Sequence, residues 1–337
     1  MSAGPWIGAQ RAVVLDALGA ALDGARACGL ADFPRHLNVG DQAIWLGERA
    51  ALRAAGVEVL DACDRASYSA RRFGQALGGA PVLLNGGGNF GDLYPTHQAL
   101  RERIFADLPG HRVVQLAQSI HFGDPANLER ARRAIATHGA VTLVVRDDRS
   151  ESFAREHFEA RVLRSPDMAF ALGPSPRPVP ASAPLVVQAR EDKERGREPV
   201  PGIETHDWLG VLPAEDRPAL ARHRARLAVT TGRREAGGRF VAVAPGRRLG
   251  AYDAFARWNV DRGLRMLARG ETVITDRLHG HILCCLMGIP HVLVGDRHGK
   301  IRDYWNTWSH AAGLARWADG FEEALALATG APQPAPG

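Results

Sequence analysis

Lysine is nearly missing from this 337-residue chain: of 42 basic residues, only Lys193 and Lys300 are lysine. Arginine in place of surface lysine is what a GC-rich genome produces, so the formal net charge of +5 says little by itself. The arginines are scattered and do not cluster with aromatics, which argues against a nucleic-acid partner. An anionic small substrate or an anionic membrane surface remains compatible with the balance. Cysteine is also scarce. Cys28, Cys63, Cys284 and Cys285 show no metal-ligand spacing, so no metal is expected, and reduced, buried thiols in a cytoplasmic protein are the simplest account. No apolar run reaches the length of a membrane span, and the longest, Ile282–Met287, suits a helix core. The opening residues MSAGPWIGAQRAVV lack a basic region followed by a long apolar segment, so no signal peptide is expected.

What is present is a repeated alternation of apolar strands and amphipathic helices. The length favours two domains over one core. Val14, Leu15, Leu18 and Leu22 predict a helix over Ile7–Cys28. A strand is expected near Phe33–Leu37, a helix from Asn38 to about Gly56, and strands at Val57–Leu60 and Pro81–Leu84. Helices at Gln98–Leu108 and Asn127–His138 alternate with strands at Arg112–Leu116 and Val141–Val145. The segment GPSPRPVPASAP (173–184) holds five prolines and reads as a linker. Beyond it come a strand at Leu185–Ala189, a charged loop EDKERGREP, a strand near His206–Val211 and a helix at Pro218–Thr230. A further element at Phe240–Ala244, a helix at Ala256–Leu267 and a strand–helix–strand unit over 271–296 complete the pattern. These readings predict an α/β protein of two Rossmann-like domains with a cleft between them. The expected division is 1–173, a linker at 174–184, 185–325, and a frayed tail at 326–337.

The chemistry-bearing residues fall at the predicted carboxyl ends of strands, where ligands collect in parallel α/β sheets. In ETVITDRLHGHILCCLMGIPHVLVGD (271–296), Asp276, Arg277 and His279 stand where a strand turns into a helix. An arginine and a histidine at a helix start suit a small anion bearing phosphate and carboxylate groups. Arg277 and the helix dipole are expected to favour a neutral His279 ring, and a bound polyanion to reverse that, as a general acid loaded by its substrate requires. NVGDQAIW (38–45) places Asn38, Gly40 and Asp41 in a strand-to-helix turn, fit for helix capping or for base chemistry. LLNGGGNFGDLY (83–94) is read as a glycine run that brings backbone close to a ligand, not as the G-x-G-x-x-G fingerprint. It lacks a GK[ST] ending, so dinucleotide or nucleoside triphosphate binding is poorly supported. Gln118, Ser119 and His121 end one strand. Arg146 ends another, either as an anion binder or as the partner of Asp147 and Asp148. Arg190 ends a third, GRR (246–248) has no settled register, and Lys300 offers a point charge for phosphate.

At NVGDQAIW, NGGGNFGD (85–92), QSIHF (118–122), RDDRS (146–150), SPDMAF (165–170), TDRLHGHI (275–282) and GKI…TW (299–308), the chain resembles the polysaccharide pyruvyl transferase family, in particular its bacterial exopolysaccharide branch. The likeness covers most of residues 33–310, and TDRLHGH is its most specific part. The resemblance implies a fold similar to two-domain GT-B glycosyltransferases and phosphoenolpyruvate as the donor substrate, with no separate cofactor. It implies a pyruvate ketal on a hexose as product, with phosphate released. Arg277, Leu278 and His279 match the family's donor-site residues, and Arg190 and Arg146 are both candidates for its further donor arginine. On this reading His279 and Asp41 are catalytic, and Arg277, Leu278, Arg190, Lys300 and Arg146 bind the donor. Asn38, Gly40, Asn85, Gly87, Gly88, Asn89 and His121 bind the acceptor. The acceptor is an exopolysaccharide unit or its lipid-linked precursor, which places the protein in the cytoplasm, at the inner face of the membrane if the acceptor is lipid-linked. Two rival readings are a GT-B nucleotide-sugar glycosyltransferase and a non-catalytic glycan-assembly protein. The first lacks a convincing nucleotide site, and the joint presence of Asp41, Arg277 and His279 argues against the second.

Overall fold

The computed structural model describes residues 4–230 and 245–330. The first half runs α1 (Gly4–Leu22), β1 (Ala27–Ala31), α2 (Val39–Ala54), β2 (Glu58–Cys63), α3 (Ala70–Leu77), β3 (Val82–Leu84), β4 (Gly87–Gly91), α4 (Pro95–Asp107), β5 (Val113–His121), α5 (Pro125–His138), β6 (Val141–Val145), α6 (Asp148–His157) and β7 (Arg161–Arg164). The second runs β8 (Ala183–Gln188), β9 (Thr205–His206), α7 (Arg217–Thr230), α8 (Pro245–Ala268), β10 (Gly270–Thr275), α9 (Leu278–Met287), β11 (His291–Val294), α10 (Lys300–Tyr304), β12 (Ala315–Ala318) and α11 (Phe321–Thr329). Among the described residues no helix is long and apolar enough to cross a membrane.

Two parallel sheets result. The first has the order β2-β1-β3-β5-β6-β7, with β4 also paired to β5; the second has the order β12-β11-β10-β8-β9. Each sheet reverses its winding once, between β1 and β3 in the first and between β8 and β10 in the second. A crevice opens at such reversals, outside the carboxyl ends of the two strands, because their connections leave in opposite directions. The two reversals position the site.

Several sequence expectations shift here. The helix predicted over Ile7–Cys28 ends at Leu22, because Asp23 and Gly24 take left-handed backbone with φ of 49° and 79°. The chain then has room for β1 at Ala27–Ala31, and the strand expected at Phe33–Leu37 is a loop. α3 was hidden by its short apolar face, Phe73 and Leu77 alone, and α6 by its charge, since only Ser150 and Ala154 are buried. The strand near His206–Val211 is only β9. The GRR segment lies inside α8, which begins eleven residues before the expected helix. α11 continues through residues 326–329, where a tail was expected. The element expected at Phe240–Ala244 and residues 331–337 lie outside the described residues. The four cysteines are buried and free.

The second half also packs on the first. The Trp45 indole of α2 donates to Asp253 of α8 at 2.9 Å, and Phe33 stacks on Tyr252 with ring centroids 4.1 Å apart. Arg248 of α8 is buried against Asp61 of β2 at 2.9 Å. A buried pair of this kind is strongly destabilising to break, since the remaining charge has no water to receive it.

Candidate active site

At the first reversal, Asn38 caps α2: its Oδ1 accepts the Gly40 amide at 3.2 Å, while its Nδ2 donates to Asp41 Oδ2 at 2.7 Å. The Asp41 carboxylate is thus held toward the crevice, 3.6 Å from His36 Nε2. After β3, the glycine run does have the G-x-G-x-x-G spacing at Gly86, Gly88 and Gly91, contrary to the sequence reading. It does not open a helix, however, but enters β4, so the helix N-terminus that a dinucleotide fingerprint needs is missing. The Gly86 amide is committed to the buried Glu48 at 2.7 Å, and the Gly88 carbonyl receives Lys300 Nζ at 3.3 Å.

At the second reversal, Thr275 shapes the turn. Its hydroxyl donates to Gln188 of β8 at 2.8 Å and accepts the Arg277 amide at 3.0 Å. α9 then passes so close that a Cβ on Gly280 would lie 2.2 Å from Gln188 Oε1 and 2.3 Å from Thr275 Oγ1. The TDRLHG sequence is therefore a steric unit: threonine to bend, glycine to let the helix start press on the strands. Its unpaired first-turn amides add positive potential beside the arginine.

Each cation of the site has a carboxylate partner. Arg277 forks onto Asp207 at 2.7 and 2.6 Å and reaches Asp192 at 3.1 Å. Arg190 binds Asp192 at 2.9 and 3.2 Å and Glu194 at 2.8 Å. Lys300 meets Glu194 at 3.0 Å. Arg146 pairs with neither Asp147 nor Asp148; it reaches Asp167 at 2.5 Å and Ser119 at 3.0 Å. Asp147 is occupied instead in capping α6 and accepting from Ser119.

His279 completes the centre. Its Nε2 lies 3.3 Å from Asp167 Oδ2, an ion-pair distance without hydrogen-bond alignment, and has no hydrogen-bond partner among the described residues. Its ring occupies the space left by Gly40, where a Cβ would come within 2.4 Å of Nδ1. Burial alone would raise the Asp167 carboxyl, but His279 and Arg146 outweigh it and hold it well below the usual carboxylate range. Asp167 stays ionised and anchors an arginine and a histidine from opposite halves of the chain.

These groups surround one cavity of about 470 Å³, within the range of small-molecule sites. Of the residues predicted from sequence, Asn38, Asp41, Gly88, Asn89, Arg146, Arg190, Arg277, Leu278, His279 and Lys300 line it. Asn85, Gly87 and His121 do not, and Gly40 lies beneath His279. Asn85 is buried and donates to the Gly86 carbonyl, and His121 sits with its ring 5.1 Å from that of His298. Sequence reasoning missed Asp167, Asp192, Glu194 and Asp207, and also His97, which lines the cavity from the first half, and its partner Asp32. His97 Nδ1 lies 2.8 Å from Asp32, whose backbone is left-handed with φ of 68°.

Among the described residues, one His/Cys/Asp/Glu cluster has a geometry that could hold a metal: His281, Cys285 and His291. The i, i+4 spacing of His281 and Cys285 was a signal the cysteine reading overlooked. Its ring nitrogens already satisfy one another. His291 donates from Nδ1 to the Ile289 carbonyl at 2.7 Å, so its Nε2 accepts from His281 Nδ1 at 2.7 Å, and the Ser309 hydroxyl donates to His281 Nε2 at 2.9 Å. Burial lowers both imidazoles, His291 to about 4, so the relay is neutral and ties α9 to β11.

Asp276 gives a pH test of the site. It is fully buried, accepts the Arg190 amide at 2.8 Å, and leaves Oδ2 unpartnered. Burial raises its carboxyl from 3.8 to about 6 against the pull of that bond and of Arg190 and Arg277. The folded state binds this proton more tightly than the unfolded chain. Its contribution to stability is therefore full below the unfolded value and is lost as pH rises through the folded one. Asp276→Asn should remove that loss. The stability of wild type relative to the variant should fall by about 2–3 kcal/mol between pH 4 and pH 7, measured by urea unfolding. A pH-independent difference would refute the assignment.

The sequence profile described as polysaccharide pyruvyl transferase matches residues 38–298, a span holding nine of the ten cavity residues named from sequence, Lys300 lying two beyond it. The chain is 34% identical over 319 residues to Pyruvyl transferase 1 of Schizosaccharomyces pombe, covering 90% of this chain and 76% of that one. It is 30% identical over 282 residues to EpsO of Bacillus subtilis, also named a pyruvyl transferase, covering 82% and 84% of the two. Its fold is similar to the crystal structure of a functionally uncharacterised protein from Klebsiella pneumoniae, with a TM-score of 0.58 at 15% identity over 92% of this chain and 99% of that one.

Proposed function

The chain belongs to the polysaccharide pyruvyl transferase family, and on that premise we propose that it moves pyruvyl from phosphoenolpyruvate onto two hydroxyls of a hexose in an exopolysaccharide or its lipid-linked precursor. The observation that carries this reading is the convergence of Arg146, Arg190, Arg277 and Lys300, drawn from both halves, on one cavity beside His279. A ligand with phosphate and carboxylate groups needs such a set, and arginine grips planar oxyanions with two parallel hydrogen bonds. The two sheets with facing reversals suit a GT-B-like arrangement, donor on the second half and sugar on the first.

The chemistry balances with groups at hand. One sugar oxygen bonds to C2 of the enol while C3 takes a proton from His279 and Asp41 takes the hydroxyl proton. The C2–O bond to phosphate then breaks, and the second hydroxyl oxygen bonds to C2, closing the ketal as its proton leaves. Inorganic phosphate is the coproduct. A lipid-linked acceptor would bring the enzyme to the inner face of the membrane.

Incubation with phosphoenolpyruvate and acceptor glycan should release phosphate and add one pyruvate less one water to the glycan, read by mass spectrometry. Thermal shift with phosphoenolpyruvate against nucleotide sugars provides the control, since only a ligand of the folded state raises Tm. Stabilisation by a nucleotide sugar, with no donor-dependent phosphate release, would overturn the reading in favour of glycosyl transfer.

A further inference from the structure

The loop that follows β8 carries two acids whose carboxylates sit on the cavity side of the donor cations. Asp192 bridges Arg190 and Arg277, and Glu194 bridges Arg190 and Lys300. Asp207 differs from both: its side chain is fully buried and does not line the cavity, whereas Asp192 and Glu194 do. Asp207 seats Arg277 from behind. The other two cover the faces an entering anion would use.

Charge makes the consequence concrete. Arg190, Arg277 and Lys300 carry three positive charges, and the acids paired with their side chains, Asp192, Glu194 and Asp207, carry three negative ones, so this set of ion pairs is neutral as it stands. With the two cavity-facing carboxylates displaced, three cations face one acid, a surplus of two charges. Burial would raise Glu194, but Lys300 and Arg190 outweigh it and hold it at about 2, so it is ionised whenever the enzyme works. The loop is also tied to the opposite half: the Tyr94 hydroxyl donates to Glu194 at 2.9 Å, and Lys193 donates to the Leu93 carbonyl.

We propose that Asp192 and Glu194 are specificity residues that fill the donor's two anionic subsites in the resting enzyme and yield only to a ligand with two anionic groups. The inference rests on the donor site proposed above. A ligand with a single weak charge cannot replace both carboxylates, so pyruvate or a sugar carboxylate is excluded while an enol phosphate is admitted. Displacement also frees Tyr94 and its loop, which couples donor entry to the acceptor half.

Isothermal titration of wild type, Glu194→Gln and Asp192→Asn with inorganic phosphate and with phosphoenolpyruvate is the test. Both substitutions keep shape and remove charge, and near-wild-type Tm establishes that each is folded. Removal of one competing charge should tighten phosphate binding about tenfold or more. Weaker or unchanged phosphate binding in both folded variants would mean that the acids merely position Lys300 and Arg190, and the proposal would be overturned. The two ligands separate the claims: tighter phosphate binding in the variants, with no phosphoenolpyruvate binding to any form, would uphold the displacement and sink the donor assignment.

Discussion

His279→Ala should fold as the wild type does and lose pyruvyl transfer by about a thousandfold, within the range that removal of a positioned proton donor costs. The ring is held by space rather than by a bonding network: Gly40 leaves room for it, and among the described residues its one ion-pair contact is Asp167 at 3.3 Å. Without it, Asp167 keeps Arg146 at 2.5 Å and its own cap on the Ala169 amide, so no buried charge is stranded. The stability cost should stay near 1 kcal/mol. Arg190, Arg277 and Lys300 remain in place, so the loss should fall on kcat, with the donor KM changed by less than about threefold, the pattern of an interaction made in the transition state. Phosphate release under saturating donor measures it. Turnover within about tenfold of wild type would remove His279 from the chemistry.

Much of this centre was legible in the chain because strand ends announce themselves. A buried apolar run that stops at Asp276-Arg277, or at Asn85-Gly86, can only deliver those residues to a carboxyl end, and parallel sheets place their ligands there. The same logic brought Arg146 and Arg190 to the cavity from separate parts of the sequence, while Lys300 stood out as one of two lysines in an arginine-rich chain. It failed where orientation, not position, decides. Asn85 and His121 also end strands, yet the side chain of Asn85 turns into the protein and that of His121 toward His298. One residue of register separates a cavity-facing side chain from a buried one, and sequence alone did not fix it.

The partners were harder to see than the cations. Asp167 lies in the SPDMAF motif and Glu194 in a stretch that reads as a solvated charged loop. Their roles depend on contacts across 112 and 106 residues, to His279 and Lys300. Sequence identifies a charge that a substrate needs; it does not show which acid holds that charge before the substrate comes. Arg146 illustrates the cost of proximity reasoning: its neighbours Asp147 and Asp148 were the obvious partners, and both serve elsewhere while Asp167 takes the arginine.

Asp167→Asn should have a large effect on both stability and rate. The carboxylate is fully buried and accepts the Ala169 amide, and an amide side chain keeps its volume. Either the amide nitrogen then confronts the Arg146 guanidinium, or the flipped side chain loses the cap. A buried arginine without its anion costs about 3–5 kcal/mol. The same substitution leaves His279 Nε2 facing a neutral amide where an anion stood 3.3 Å away, which removes the charge that supports a proton donor there and should lower kcat by about 10²–10⁴-fold. The sign of the pH dependence separates charge from packing. His279 and Arg146 depress the Asp167 carboxyl, so its contribution to stability is present above the unfolded value of 3.8 and is lost as pH falls below it. The deficit of the variant in urea unfolding should therefore be full at pH 7 and shrink below pH 4. A deficit that persists unchanged at low pH would indicate a steric defect, and a variant with wild-type stability and rate would dissolve the link between Asp167, Arg146 and His279.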